Sequence, residues 1–140
     1  MTRDEIATMF ARREQAYEKE DAAALAADYA DDAVVDSPTG GVHRGPAAAA
    51  DVLDAVFVAF DDMKVRTQDL LIDGDRIAQV LILEGTNVGG MMGLPPSGKS
   101  FRVPAVFLYE LRGGKIVRER RIYDFTGMLV QIGVLKARPA

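Results

Sequence analysis

Asp124 lies late in the chain, between Tyr123 and Phe125. A carboxylate held among aromatic side chains loses hydration, which raises its pKa and suits it to general acid or base work. The same aspartate can instead cap a helix beginning near Thr126. Arg120 stands four residues earlier. On a two-residue period it faces the same way as Asp124, with the two Cα atoms about 13 Å apart, a distance a bound molecule can span. An arginine in a pocket binds a carboxylate or steadies an enolate-like oxygen as charge develops. It can equally pair with an acid on a neighbouring strand, such as Glu84 or Glu110. His43, the single histidine, titrates near neutrality and can move protons at a pocket mouth. Tyr17, Tyr29 and Tyr123 can donate to an oxyanion or serve as ordinary core aromatics. Met91 and Met92, flanked by glycines, offer a soft apolar wall or lid.

The elements that must hold these residues divide into a helical first third and a strand-rich remainder. Thr2 and Glu5 fit a capping box for a first helix whose apolar side carries Ile6, Met9, Phe10 and Tyr17. Asp21 caps a short second helix with Leu25, Ala26 and Tyr29 on its apolar side, and Asp31 and Asp32 close the pair. A short strand is predicted over 33–36, with a further piece at Val42 and His43. Gly45 and Pro46 open a third helix. Strands follow at 64–72, 76–87, 101–111 and 116–125, joined by glycine turns at Gly74 and at Gly113 and Gly114. The stretch 89–98 has too many breakers for a strand, and the tail suits one short helix broken at Gly133. Helices followed by a long antiparallel sheet predict an α+β domain spanning 1–140. Gly85, Gly89 and Gly90 are the places where such a sheet can bend around a pocket.

Composition narrows the function classes. Seventeen Lys and Arg against twenty-one Asp and Glu give a net charge of -4, the opposite of the balance that nucleic-acid binding requires. With no cysteine and one histidine, disulfides, thiolate chemistry and a His-rich metal site are excluded, although carboxylates can still hold a hard cation. No cofactor is implied. Apolar runs fall short of the roughly 18–20 residues a membrane span needs, and MTRDE resembles neither a signal nor a transit peptide. A cytoplasmic protein whose partner is a small molecule or a second copy of the chain is the expectation, with no nucleic-acid or membrane partner. The stretch from Gly93 to Ser100, GLPPSGKS, matches the bare phosphate-loop pattern. Its two prolines remove cradle donors, and a strand follows where that motif needs a helix.

Two further stretches, EGTNVGGMMGLPPSGKSF and LRGGKIVRERRIYDFTGMLVQIG, resemble the nuclear transport factor 2-like (NTF2-like) superfamily in its SnoaL-like polyketide cyclase and ester cyclase branch. The opening YEKEDAAALAADYADDAVVDSPTGGVHRG is similar to the helix, helix, short-strand start shared by many branches. The resemblance implies a cone-shaped α+β barrel, three helices against a strongly curved antiparallel sheet, a pocket inside it, and a homodimer on the outer sheet face. The alternation Val103, Ala105, Phe107 and Tyr109 is the apolar surface expected there. The resemblance also implies that Asp124 is the acid and base of an intramolecular aldol condensation. Arg120 replaces a tryptophan common in the branch, favouring a more polar or anionic ligand. Asn87 replaces a loop histidine; it can hydrogen-bond a carbonyl but cannot titrate. The ketosteroid isomerase branch fits less well, because its three functional positions fall at Ser37, Arg13 and Val106.

Two functions follow. One is an enzyme doing acid-base chemistry (cyclisation, isomerisation or hydration) on a small apolar or weakly anionic carbonyl compound. Asp124 moves the proton, Arg120 or Asn87 holds the oxygen, and Met91 and Met92 exclude water. The other is a non-catalytic pocket that binds a metabolite or a domain that only dimerises.

Overall fold

The computed structural model describes residues 1–136, so the last four positions of the expected domain lie outside it. Helix α1 spans Arg3–Glu18, and its capping box is complete, with the Thr2 hydroxyl accepting from the Glu5 amide and the Glu5 carboxylate accepting from that of Thr2. Ile6, Met9, Phe10, Arg13, Ala16 and Tyr17 form its buried side, the spacing of one helical face. Helix α2, Ala22–Ala26, is capped by Asp21. The chain then enters β1 (Tyr29–Ser37) and β2 (Gly41–Arg44), so Asp31 and Asp32 lie in a strand rather than closing the helices. Helix α3 (Gly45–Ala59) begins with its proline in the first turn. Strands β3 (Lys64–Asp73), β4 (Arg76–Thr86), β5 (Ser100–Arg112) and β6 (Lys115–Tyr123) follow, then α4 (Phe125–Gln131). The stretch carrying the phosphate-loop pattern leads into β5, as its prolines and strand-like sequel foretold.

The six strands form one sheet in the order β2-β1-β6-β5-β4-β3. The β1 and β6 strands run parallel, and every other pairing is antiparallel. The expected cone-shaped, strongly curved antiparallel barrel is therefore corrected. The sheet is mixed and open, with β2 and β3 as its two edges, unpaired with one another. A parallel pair needs a long crossover, and here most of the chain lies between β1 and β6. The long hairpin series β3 to β6 can then add strands on one side of β6 only.

Helices cover one face of this sheet, α3 lying against β1 and α1 against β3. Leu53 and Phe57 of α3, Phe10 and Tyr17 of α1, and Leu81, Leu83, Val103, Ala105, Phe107 and Tyr109 of the sheet make one buried cluster. Val103, Ala105, Phe107 and Tyr109 thus belong to the core. The outer face of β5 carries Arg102, Pro104, Val106 and Leu108 instead.

A bulge in β6 decides which of its residues face inward. Glu110 is opposite Arg118 but Leu111 is opposite Ile116, so Val117 is an extra residue. Such an insertion reverses the alternation. Ile116 is buried, and beyond the bulge the inward residues are Glu119, Arg121 and Tyr123, leaving Arg118, Arg120 and Ile122 outside.

Candidate functional site

A small cavity of about 80 Å³ lies between the helices and the sheet. Tyr17 of α1, Val52, Leu53 and Val56 of α3, and Phe60 and Met63 just beyond α3 form one side. Leu83, Phe101 and Phe107 supply the sheet side, and Met91 and Met128 contribute from the loop and α4. Phe60 meets Phe101 edge to face at 5.0 Å between ring centres, and Tyr17 meets Phe57 at 6.1 Å, geometries that the ring quadrupoles favour.

The polar groups in this wall are few. Arg121 is the charged one. Its guanidinium carbon stands 5.7 Å from the centre of the Phe107 ring, close enough for a cation–π contact. Ser37, Thr39 and Tyr123 bring hydroxyls. The Tyr123 hydroxyl donates to Thr39 Oγ1 at 3.2 Å, and the Ser37 and Thr39 hydroxyls are 3.1 Å apart.

Behind Arg121 lies a buried ionic cluster. Arg121 Nε donates to Glu119 Oε2 at 2.8 Å, and its Nη2 is 2.8 Å from the same oxygen. The Tyr29 hydroxyl also donates to Oε2, at 3.1 Å. Arg13 donates to Asp28 at 2.8 Å, to the Leu25 carbonyl at 3.1 Å and to the Tyr29 hydroxyl at 3.3 Å, and reaches Glu119 Oε1 at 3.9 Å. Charge therefore alternates from Asp28 to Arg13 to Glu119 to Arg121. Burial alone would push the Glu119 carboxyl up, but the Arg121 and Arg13 guanidiniums outweigh it and hold the group below its ordinary value. Burial, reinforced by the Glu119 charge, pushes the Tyr29 hydroxyl well up, so it stays a neutral donor. Glu119 Oε1 is buried and has no hydrogen-bond partner among the described residues.

The residues expected from the sequence fall in different places. Tyr17, Tyr123 and Met91 line the cavity. Tyr29 is in the ionic cluster behind it. Asp124 is exposed and caps α4, its Oδ1 accepting from the Gly127 amide at 2.9 Å. It directly follows Tyr123 and holds the helix that carries Met128. Arg120 is on the outer face opposite Leu108, so it and Asp124 do not meet inside the cavity; the arginine that lines the cavity is Arg121. His43 is half-buried on the edge strand β2, opposite Val35, with Nε2 buried and unpartnered among the described residues. Asn87 is fully buried and ties its loop together: its side-chain oxygen accepts from the Gly90 amide and its nitrogen donates to the Ser97 hydroxyl. Met92 is 67% exposed, so of the two methionines Met91 supplies the wall.

Arg121, Glu119 and Arg13 are site residues that the sequence pattern does not single out. A signal for Arg13 was present, since it occupies the apolar stripe of α1, where an unpaired charge would be costly. A larger concavity of about 630 Å³ opens on the outer sheet face beside Leu71, Leu108, Arg118 and Arg120. The smaller cavity is the better candidate, because it is more enclosed and its one charged group is held among apolar walls, where electrostatic interactions strengthen.

Comparisons with known proteins agree with this fold. The family model described as SnoaL-like polyketide cyclase matches residues 7–132. The nogalonic acid methyl ester cyclase of Streptomyces nogalater is 34% identical over 95 residues, covering 66% of this chain and 70% of that one. The structure of IdmH from Streptomyces antibioticus is 28% identical with a TM-score of 0.77, covering 91% of this chain and 97% of its own. TsrD from Streptomyces laurentii, 21% identical, superposes with a TM-score of 0.86 over 96% of this chain and 99% of that one, a likeness of fold. No helix among the described residues is long and apolar enough to cross a membrane, and these residues hold no group of three or more His, Cys, Asp or Glu arranged to bind a metal ion.

Proposed function

The chain belongs to the SnoaL-like polyketide cyclase family of the NTF2-like superfamily, and on that premise we propose that it is an enzyme acting on small carbonyl compounds through an enolate. The observation that carries this reading is the Arg121 guanidinium in the wall of an otherwise largely apolar cavity. Two of its nitrogens are engaged by Glu119, and Nη1 is bound to no group among the described residues, leaving donors for a ligand oxygen. A base removes a proton from the carbon beside the carbonyl, and the electron pair moves onto oxygen, where Arg121 stabilises it. The enolate carbon then attacks a second carbonyl of the same molecule, forming the ring bond, and the new alkoxide takes up a proton. Where the enolate is conjugated with a carbon–carbon double bond, return of the proton to the far carbon instead moves that double bond, which is isomerisation. The cavity is small, and Met91, with its freely rotating side chain, is the wall that yields to a ring.

Asp124 is the proton carrier implied by the family. It follows the wall residue Tyr123 and is in contact with solvent, so it can exchange protons. The Gly127 amide on its carboxylate favours a second reading, in which Asp124 is a positioning residue for α4. Proton exchange on cyclohexanone in deuterated water, followed by NMR, tests both. The protein should accelerate deuterium uptake beside the carbonyl, and Arg121→Met should lower that rate about 10²-fold. No acceleration by the native protein would end the enolate reading. Asp124→Asn keeps the cap, so lost exchange supports acid-base work and retained exchange supports positioning.

A homodimer through the outer sheet face belongs to the same proposal. Leu71, Leu108 and Ile122 are exposed there at 56%, 38% and 45%. Sedimentation should find a dimer that Leu108→Arg weakens.

A further inference from the structure

Arg121 is the cationic group of the cavity, yet it does not present a free charge. One carboxylate oxygen of Glu119 faces both its Nε and its Nη2 at 2.8 Å. Glu119 is itself fully buried, so water does not dilute this pairing. The buried cluster runs Asp28, Arg13, Glu119, Arg121, and Asp28 also takes the half-exposed Arg12 at 2.7 Å, so Glu119 is the one carboxylate that offsets Arg121 directly. The second oxygen of Glu119 is buried without a hydrogen-bond partner among the described residues, 3.9 Å from Arg13. A carboxylate entering the cavity would meet an arginine already paired at 2.8 Å with a buried carboxylate that repels it, and would shed its hydration to do so. A neutral carbonyl oxygen needs only the donors that Arg121 has left, and carries no net charge to desolvate.

We propose that Glu119 is a positioning and specificity residue, which neutralises Arg121 so that the cavity accepts a neutral ketone or ester oxygen and rejects a carboxylate of the same shape. This rests on the enolate reading and names its substrate class: small, uncharged carbonyl compounds whose apolar part fills the space between Phe60, Phe101, Phe107 and Met91.

The test is a matched pair of probes, acetophenone and benzoate at neutral pH, which share a ring and a carbonyl and differ in charge. Affinities are read by NMR titration. The native protein should bind acetophenone at least about tenfold more tightly than benzoate. Glu119→Gln should reverse that ratio by freeing the Arg121 charge. Because Glu119→Gln leaves two buried guanidiniums facing each other and can fail to fold, the double variant Arg13→Met with Glu119→Met serves as the second arm. It removes one charge of each sign, fills the space with apolar groups, and should invert the ratio likewise. A loss of packing alone would weaken both probes together and leave the ratio unchanged. An unchanged ratio in a folded variant, or native binding of benzoate as tight as acetophenone, would overturn the inference and leave the enolate reading standing. Failure of both probes to bind the native protein would overturn both.

Discussion

Arg121 and Glu119 sit two residues apart on the inward side of β6, and the Arg121 Nε donates to Glu119 Oε2 at 2.8 Å. Arg120, between them, points to the other side of the sheet. The pair links the cavity wall to the buried cluster of α1, since Glu119 also faces Arg13 and Tyr29.

Breaking that cluster from the helix side should be costly. Arg13→Met leaves Arg121 as the one arginine facing Glu119 and removes one of the two arginines on Asp28. A loss of about 3–5 kcal/mol is expected, the usual scale for removing one partner of a buried pair. Urea unfolding gives the number. Arg13→Met combined with Glu119→Met should cost less than the sum of the two single changes.

The same carboxylate makes stability depend on pH. Its folded-state pKa lies below the ordinary 4.5. Its contribution is therefore present above that value and is lost as pH falls through the folded pKa. The stability gap between the native protein and Glu119→Gln should stay constant from pH 7 to about pH 5.5 and narrow below pH 4.5. A gap that widened on acidification would mean that the carboxyl prefers its proton when buried.

Asp124 supports α4 through its cap. Asp124→Ala should cost about 1 kcal/mol, and Asp124→Asn a few tenths, because asparagine caps equally well. Thermal unfolding of the two variants side by side reads the difference.

The loop bearing Met91 is fastened at Gly89. Its amide donates to the Ala59 carbonyl at 3.2 Å, and a Cβ there would run into the Val58 carbonyl oxygen. Backbone at the end of α3 has little room to move, so Gly89→Ala should destabilise by about 1–3 kcal/mol. Limited proteolysis should then cut within 88–99 sooner than in the native protein.

The sequence by itself determined the local elements. The Thr2 and Glu5 capping box, the Asp21 cap, the apolar stripe of α1 and the glycine turn at Gly113 and Gly114 are short-range chemistry, and each appears where that chemistry puts it. The two stretches around Asn87 and Asp124 also carried the family resemblance. Tertiary structure alone decided the sheet and the inward side of its central strand. Strand order depends on pairings between distant segments, and the parallel contact of β1 with β6 has no local signature. The extra residue at Val117 exchanges the two sides of β6 without any mark in composition. For that reason Arg121 faces the cavity while Arg120, identical in type and adjacent in sequence, faces outward. Arg13 was readable as a charge on an apolar face, but its partner Glu119 lies 106 positions away. Only folding brings such a pair together, and only burial gives the interaction between its charges its strength.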